Sequence, residues 1–380
     1  MITALIAGAA ALESGGMALA KPKGKTVRVY FGTYTQGASK GIYLYDLDLT
    51  TGALTDTGLT AMTPNPSFLA IAPNRKTLYA VNETQSYGGK MTGSVSAFSV
   101  DAKTGALTLL NAQASMGTDP CHVVVDSSGK NVLVANYSSG SVAVFPIEAG
   151  GKLAPHSAAA QHSGSSANAG RQEGPHAHSI YNDASGHYVL SCDLGTDKVY
   201  VYRYNANLRP LTPNDFAAAT LPPGSGPRHL AFSANRRLVY VVSEMLSTVT
   251  AFEWNEKTGE MRPAQSISTL PADFHAESTT AEIALSPNGK FLYVSNRGHD
   301  SLAIFAVNAQ TGLLRSVGWQ PTQGKTPRSF AIDSTGTFLI AANQSTNNVV
   351  IFRIAPDTGL LTQIGPATAI PAPVCVLFAP

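Results

Sequence analysis

The chain has 380 residues, of which 26 are lysine or arginine and 24 are aspartate or glutamate, so its formal net charge at pH 7 is only +2. Charged residues make up 13% of the chain, about half their usual share in soluble domains. This balance provides neither a basic stripe for nucleic acid nor an acidic tail, and we predict no nucleic-acid partner.

The first 26 residues are predicted to be a leader outside the folded domain (residues 1–26). An apolar run from Ile2 to Leu12 precedes Ala18-Leu19-Ala20, which resembles a small-residue cleavage site before Lys21. These features are typical of a secretory signal peptide, although the basic segment that normally precedes the apolar run is missing. We therefore favour a periplasmic or secreted protein, with a cytoplasmic one as the alternative. No other segment is apolar for long enough to predict a membrane-spanning helix in the mature chain.

A 17-residue unit recurs along the rest of the chain. Clear copies begin at Pro66, Pro120, Pro227 and Pro327, looser copies begin at Ala177 and Thr280, and a seventh begins at Pro373 and stops with the chain. Each unit is typical of a strand, a turn and a second strand. A third apolar strand, a turn that is often Thr-Gly and a more polar fourth strand follow. Four strands in about 50 residues correspond to one blade of a β-propeller.

The seventh copy lacks its second and third strands, and the N-terminal part of the chain contains the missing sequence. Residues 27–34 (VRVYFGTY) and 41–47 (GIYLYDL) match these strands. We therefore predict an all-β fold, a single seven-bladed β-propeller over residues 27–380 with four-stranded blades. The N-terminal strands complete the C-terminal blade, which removes the open edge that a ring of separate blades would leave.

Two positions of the repeat should converge on one mouth of the central channel. The start of the first strand and the end of the second lie on the same face, because the two strands are antiparallel. The residues at the position after the repeat proline are Ser67, Cys121, His178, Arg228, Ala281, Arg328 and Val374. Those after the repeat asparagine are Glu83, Tyr137, Leu194, Glu244, Arg297 and Gln344. Neighbouring residues that should also face the channel are Asn65, His122, His176, His229 and Glu282. In a chain with few charges, this concentration of arginine, glutamate and histidine indicates a functional pocket. The repeat asparagines are expected to be structural.

Several motifs resemble those of the seven-bladed β-propeller lactonase family. They are NPSFLA at 65–70, HAHS at 176–179, GPRHLAFS at 226–233 and SNRGHDS at 295–301. This family includes propeller-type 6-phosphogluconolactonases and the 3-carboxy-cis,cis-muconate lactonizing enzymes. The resemblance extends over residues 27–380, that is, over the whole chain after the leader.

The resemblance implies an active-site set of one histidine, one glutamate and two arginines. The matching residues here are His178, Glu244, Arg228 and Arg297, with His176 as the alternative histidine. The residues predicted to bind the substrate are His176, His122, Arg328, Glu83, Tyr137, Gln344 and Asn65.

A lactonase needs proton transfer and a group that stabilises the oxyanion. Glu244 is the expected base with His178 as the acid, or the reverse. Arg228 and Arg297 are expected to stabilise the oxyanion and to bind a substrate carboxylate or phosphate. The expected substrate is thus a small anionic lactone. No cofactor or metal is predicted, and the Gly-x-Ser-x-Gly motif of serine hydrolases is absent.

Two other functions fit the same sequence. A carboxymuconate lactonizing cyclase would use the same residues to move a proton to carbon. A non-catalytic propeller that only binds a protein or a sugar has no need of a histidine and a glutamate poised together, so the distance between His178 and Glu244 discriminates between these classes. The oligomeric state is left open, with a monomer favoured.

The loop from Pro155 to Gly174 is long and polar and precedes His176. We predict that it is either a mobile lid over the channel or disordered. The three cysteines lie in predicted strands and are expected to be buried free thiols, of which only Cys121 could face the pocket.

Overall fold

Seven four-stranded antiparallel sheets form the part of the chain that the structure, a computed structural model, describes: residues 25–208 and 211–379. In chain order the strands are β1 Thr26–Thr33, β2 Gly41–Asp48, β3 Leu54–Met62, β4 Leu69–Ile71, β5 Thr77–Asn82, β6 Ser94–Val100, β7 Leu107–Ala114, β8 Pro120–Val125, β9 Asn131–Asn136, β10 Ser141–Pro146, β11 Ala158–Gln161, β12 Ala177–Asn182, β13 Tyr188–Asp193, β14 Lys198–Arg203, β15 Thr212–Thr220, β16 Pro227–Phe232, β17 Leu238–Ser243, β18 Thr248–Asn255, β19 Glu260–Ser268, β20 Thr279–Leu285, β21 Phe291–Arg297, β22 Ser301–Val307, β23 Leu314–Pro321, β24 Pro327–Ile332, β25 Phe338–Asn343, β26 Asn348–Ile354, β27 Leu361–Ala369 and β28 Pro373–Ala379. A short 3-10 helix spans Ala149–Gly151. Residues 1–24, most of the predicted leader, lie outside the described residues. Within the described residues, no helix is long and apolar enough to cross a membrane.

The strand order confirms the predicted ring closure. Blades 1 to 6 each use four consecutive strands, from β4–β7 to β24–β27, whereas blade 7 has the order β28-β1-β2-β3. Strand β28 pairs antiparallel with β1, with Arg28 opposite Ala379 and Tyr30 opposite Leu377. The chain is therefore a seven-bladed β-propeller whose last blade is built from both of its ends.

Burial decreases from the inner strands of each blade toward the rim. The second strands β5, β9, β13, β17 and β25 are buried at every residue, whereas in the outermost strand β15 only Asn214 and Ala219 are buried. Among the described residues, buried apolar side chains form seven clusters, one between each pair of neighbouring blades. In one cluster, Val201 of blade 3 packs with Val239 and Phe252 of blade 4. Removal of these faces from water is what holds the blades against one another.

Tyrosines on second strands connect blades to the Thr-Gly turn of the next blade. The Tyr240 hydroxyl of blade 4 donates to the carbonyl of Gly312 in blade 5 at 2.6 Å, and Tyr293 of blade 5 donates to Gly359 in blade 6 at 2.8 Å. Gly312 has a φ of +73°, a conformation that glycine adopts without the strain of a side chain. The Thr-Gly element of the repeat is thus a contact between blades as well as a turn.

A β-bulge at the start of the first strand explains why the residue after the repeat proline faces the channel mouth. In blade 4, Pro227 and His229 pair with successive residues of β17, so Arg228 between them has no partner in the ladder. The residues skipped at the same place in blades 2, 3 and 6 are Cys121, His178 and Arg328. A bulge re-aims the side chain of the extra residue, which strict alternation would otherwise fix.

The segment from Pro155 to Gly174 has defined structure, so the prediction of a disordered loop was wrong. It contains β11, which pairs with β10 at the rim of blade 2. It continues into Gln172, whose buried side-chain amide donates to the Leu194 carbonyl and to Asp197, each at 2.8 Å. The pattern of small polar residues did not indicate this structure because the segment is fixed by hydrogen bonds and not by an apolar face of its own.

Candidate active site

A cavity of about 350 Å³ opens at the channel mouth where the first strands begin. Its walls are Tyr34, Glu83, Cys121, Tyr137, Arg171, His178, Glu244, Thr279, Arg297 and Arg328. The residues among them that the sequence predicted as site residues are Glu83, Tyr137, His178, Glu244, Arg297 and Arg328. The volume is in the lower part of the range typical of small-molecule sites.

Glu244 lies at the centre of the site, surrounded by guanidinium groups. Its Oε1 is 2.8 Å from Nη2 of Arg171. Its Oε2 is 2.8 Å from Nη2 of Arg297 and 3.1 Å from Nε of Arg228, which lies just beneath the cavity. The Glu244 side chain is only 4% exposed, so water screens this ionic cluster weakly.

The arginines set the protonation state of Glu244. Burial alone would raise the pKa of this carboxyl, but Arg297, Arg228 and Arg171 outweigh burial and lower its pKa to about 2. Burial lowers the pKa of Arg297 to about 10. At neutral pH, Glu244 is therefore a carboxylate with little tendency to accept a proton, and Arg297 remains a cation.

The structure distinguishes the two histidines of the HAHS motif. His178 lines the cavity, with its Nε2 3.9 Å from Oε2 of Glu244. Burial, together with Arg228, lowers the pKa of His178 well below 6.5, so its imidazole is neutral at pH 7. The ring of His176 instead stacks on Tyr137 with centroids 4.6 Å apart, and its Nδ1 is 3.2 Å from the Tyr137 carbonyl. His176 is therefore a support for Tyr137 outside the cavity.

The opposite wall contains a tyrosine that was not predicted as a site residue. The Tyr34 hydroxyl is 2.9 Å from both carboxylate oxygens of Glu83, and the guanidinium carbon of Arg328 is 5.4 Å from the centroid of the Tyr34 ring. Burial would lower the pKa of Arg328, but Tyr34 and Glu83 raise it above its ordinary value. Tyr34 comes directly after β1, so its place in the site depends on the closure of blade 7.

Arg171 is the second wall residue that sequence reasoning missed. It belongs to the segment between β11 and β12, and its Nη2 contacts both Glu244 and, at 3.2 Å, the Tyr137 hydroxyl. The repeat contains no position equivalent to it, which is why a search for convergent repeat positions did not find it. One feature of the sequence could have indicated it: Arg171 is the one arginine of residues 155–174, and it lies just before the HAHS motif.

Three further residues predicted to bind the substrate do not line the cavity. His122 is the residue after the bulge and lies deeper in the channel, where it borders a mainly apolar cavity of about 470 Å³ at the opposite end. The Asn65 side chain accepts a hydrogen bond from the backbone of Thr35 at 2.9 Å. Gln344 donates its backbone N–H to the Thr326 carbonyl at 3.0 Å.

The polar cluster is dominated by positive charge. In residues 25–208 and 211–379, no group of three or more His, Cys, Asp or Glu side chains is placed to hold a metal ion. The charged residues in and directly beneath the cavity are Arg171, Arg228, Arg297 and Arg328 with Glu83, Glu244 and, deeper, Glu282. The cavity itself has the guanidinium groups of Arg171, Arg297 and Arg328 against the carboxylates of Glu83 and Glu244, and this excess of positive charge attracts anionic ligands.

The seven-bladed propeller thus brings a histidine, a glutamate and several arginines together at its channel mouth, and a family comparison identifies the class of protein. The model of the lactonase family with a seven-bladed β-propeller matches residues 28–378. The chain belongs to this family and is a lactone hydrolase.

Individual relatives agree with this class. A 6-phosphogluconolactonase from Bacillus subtilis is 40% identical over 349 residues, which cover 92% of this chain and 97% of the relative. A 6-phosphogluconolactonase from Formosa agariphila is 34% identical and covers 80% of this chain and 85% of its own length. The structure of a periplasmic gluconolactonase from Pseudomonas aeruginosa superimposes with a TM-score of 0.87 at 36% identity, covering 93% of this chain and 99% of that one.

Proposed function

We propose that this protein hydrolyses a sugar-derived lactone that carries an anionic group, with 6-phosphogluconolactone as the first candidate. The observation that carries the proposal is the neutral imidazole of His178 held 3.9 Å from the Glu244 carboxylate in an arginine-lined cavity. A propeller that only binds its ligand has no need of this pair. The name of the Bacillus subtilis relative supports the same substrate.

His178 is proposed as the general base, and Glu244 as the group that stabilises its protonated form. The lowered pKa of His178 leaves its imidazole neutral at pH 7, with a nitrogen that can accept a proton, whereas the three surrounding arginines hold Glu244 as a carboxylate. The gap of 3.9 Å between their side chains exceeds a direct hydrogen bond and suits a bridging water. His178 takes a proton from this water, and the water oxygen bonds to the carbonyl carbon of the lactone. The imidazolium then forms beside a carboxylate that attracts it.

Arg297 and Arg228 are proposed to stabilise the oxyanion that this attack creates. When the tetrahedral intermediate collapses, the bond between the carbonyl carbon and the ring oxygen breaks. The imidazolium of His178 returns its proton to that ring oxygen, and the product is the open-chain hydroxy acid. Removal of one preorganised donor to such an oxyanion typically raises the barrier by about 2.7–4 kcal/mol.

The charge of the cavity supports an anionic substrate. A phosphate monoester carries a charge of about −1.5 to −2 at pH 7, and the excess of arginine over glutamate around the cavity attracts such an anion. We assign Arg328 to the anion-binding group, and Tyr137 and Glu83 to contacts with the sugar hydroxyls. These two side chains, which follow the second strands of neighbouring blades, offer a donor and acceptors.

We also propose that the protein is exported from the cytoplasm. The proposal rests on the apolar leader within residues 1–26 and on the Pseudomonas aeruginosa relative that is named periplasmic. Export would favour an unphosphorylated lactone, so both kinds of substrate have to be tested. Fractionation of cells that express the full chain with a C-terminal tag measures the location, and retention of uncleaved protein in the cytoplasm would overturn this proposal.

The function is tested by the hydrolysis of 6-phosphogluconolactone, gluconolactone and a carboxymuconolactone, corrected for spontaneous opening. We expect wild-type activity on a sugar lactone and a loss of about 10²- to 10⁴-fold in His178→Asn, the usual contribution of a general base. The matched control is His176→Asn, which lies two residues away, just before β12, and should lose far less. If the folded wild-type protein opens none of these lactones, the proposal fails; if both histidine variants lose activity equally, the assignment of His178 fails.

A further inference from the structure

Arg171 differs from the other three arginines of the site in how it is held. Nη1 of Arg228 donates to the Ala281 carbonyl at 2.6 Å, and Nη2 of Arg297 donates to the Thr280 carbonyl at 2.8 Å, so the backbone fixes both groups. Arg328 is half-buried, and its guanidinium carbon lies 5.4 Å from the centroid of the Tyr34 ring. The Arg171 side chain is 43% exposed.

The contacts of the Arg171 guanidinium are all with side chains that face the cavity. These contacts are Glu244 at 2.8 Å and the Tyr137 hydroxyl at 3.2 Å. An anion that enters the mouth can therefore bind this guanidinium in place of these side chains, without any backbone hydrogen bond being broken. Glu244 would keep its ion pairs with Arg228 and Arg297 when Arg171 leaves.

The backbone beneath Arg171 is fixed, in contrast to its exposed head group. The next residue, Gln172, is 0% exposed and donates to the Leu194 carbonyl and to Asp197. Its side-chain Oε1 accepts a hydrogen bond from the backbone N–H of Asn168 at 3.0 Å, which closes the turn that carries Arg171. A fixed backbone that carries a solvent-exposed guanidinium suits a side chain that binds a ligand better than one that only holds a loop closed.

We propose that Arg171 determines the selectivity for phosphorylated lactones, because its guanidinium exchanges Glu244 for the phosphate of the bound substrate. This inference rests on the proposed lactonase function and assigns one feature of the substrate to one side chain. The planar guanidinium fork matches two phosphate oxygens at once. Gln172 is a positioning residue that holds the turn in reach of the mouth.

The test compares kcat/KM for 6-phosphogluconolactone and gluconolactone in wild type, Arg171→Ala and Arg171→Lys. Loss of one charged hydrogen-bond donor to the phosphate should lower the ratio of kcat/KM for the phosphorylated lactone to kcat/KM for gluconolactone by about 10- to 100-fold. Lysine, a point charge without the fork, should restore part of the loss. The control is Arg262→Ala, which removes a more exposed arginine (70%) that pairs with Glu260 on β19, the outermost strand of blade 4.

A purely structural role of Arg171 would give a different result. If Arg171 only holds its loop closed, Arg171→Ala lowers kcat/KM for both lactones by the same factor, and the proposal is overturned. A wild type without any preference for the phosphorylated lactone overturns it as well. Gln172→Ala should reduce the same selectivity as Arg171→Ala if it positions the arginine, and thermal unfolding of each variant shows whether the fold is kept.

Binding without turnover separates this inference from the proposed function. Calorimetric titration with 6-phosphogluconate and with gluconate should show tighter binding of the phosphorylated compound to wild type, and Arg171→Ala should lose that advantage. If wild type opens no lactone but this difference is found, the function fails and the role of Arg171 stands. If wild type opens the phosphorylated lactone and Arg171→Ala binds 6-phosphogluconate as tightly as wild type, the function stands and the role of Arg171 fails.

Discussion

The side chains of His178 and Glu244 are both buried, yet burial acts on them in opposite directions. Loss of water disfavours the charged form of either group, which lowers the pKa of a histidine and raises that of a carboxyl. The pKa of Glu244 is nevertheless lowered, because Arg297, Arg228 and Arg171 surround its carboxylate. The site therefore contains a stable carboxylate next to a neutral imidazole, and the proposed role of His178 as the base rests on this pairing.

Hydrolysis is expected to persist below the ordinary pKa of histidine. His178 accepts a proton only when it is neutral, and burial lowers its pKa well below 6.5, so the inactive protonated form accumulates only at more acidic pH. We expect kcat/KM to stay level as the pH falls through 6.5 and to decline below it. The pH–rate profile should be recorded with phosphorylated and unphosphorylated lactones, because the substrate phosphate itself titrates near pH 6. An acidic limb centred at or above 6.5 for both substrates would contradict the role of His178.

At the scale of the strand, the bulge in β16 lets two successive side chains, those of Arg228 and His229, point into the channel. Arg228 reaches Glu244 at the mouth, while Nδ1 of His229 lies 2.9 Å from Oε1 of Glu282 deeper inside. Nη1 of Arg228 is 3.4 Å from Nε2 of His229. If Nδ1–H of His229 donates to Glu282, its Nε2 is free to accept from Arg228. One strand thus links the active site to a buried carboxyl that takes no part in the proposed chemistry.

Glu282 is expected to make stability depend on pH near neutrality. Burial raises its pKa from 4.5 to about 7, so the folded state holds this proton more tightly than the unfolded state does. The resulting stabilisation is complete below pH 4.5 and is lost as the pH rises toward 7. Glu282→Gln removes the titration, and its melting temperature relative to wild type should therefore rise between pH 4.5 and pH 8. A difference that does not change with pH would show that this carboxyl titrates normally.

The Thr-Gly turns are expected to be sensitive to a single methyl group. A Cβ at Gly312 would lie 2.5 Å from Cδ1 of Leu238 in the preceding blade, in addition to the strain of its positive φ. Gly365→Ala is a matched control, because its φ is similar (+64°) but nothing lies within 4 Å of the added atom. Urea denaturation should show that Gly312→Ala loses more stability than the control, by about 1–3 kcal/mol for overpacking. Equal losses of stability in the two variants would mean that the blades move apart to accommodate the methyl group without destabilising the fold.

For the whole molecule, the ring could be predicted from sequence and the site only in part. The repeat gives strand order directly, and the mixed seventh blade follows from counting its copies. His178, Glu244 and Arg297 were found because the repeat places them at equivalent positions, whereas Arg171 lies in a segment that no other blade has. His176 and His178 could not be separated, because the direction of each side chain depends on a bulge that leaves no mark in the sequence pattern.

Ring closure by strand sharing is expected to contribute to stability. Arg28 pairs with Ala379, so a short linker could join the end of β28 to the start of β1 in a circular permutant. New termini at Asp273, between blades 4 and 5, would then leave every blade continuous and the ring without a shared one. Termini at Thr51, in the turn between β2 and β3, keep a shared blade and serve as the control. We expect a lower unfolding midpoint for the Asp273 permutant than for the Thr51 permutant, and the opposite order would contradict this view of closure.

The shared blade also determines when during biosynthesis the catalyst can exist. Strand β28 lies at the end of the chain and pairs with β1, which a ribosome completes long before it. The cavity wall likewise joins Tyr34, made early, to Arg328, made late. Nascent chains tend to fold from the N-terminal end as they emerge, but this ring has no complete mouth until its last strand has been released. The ring therefore cannot close before β28 has emerged, and a chain that terminates before β28 lacks the strand that pairs with β1.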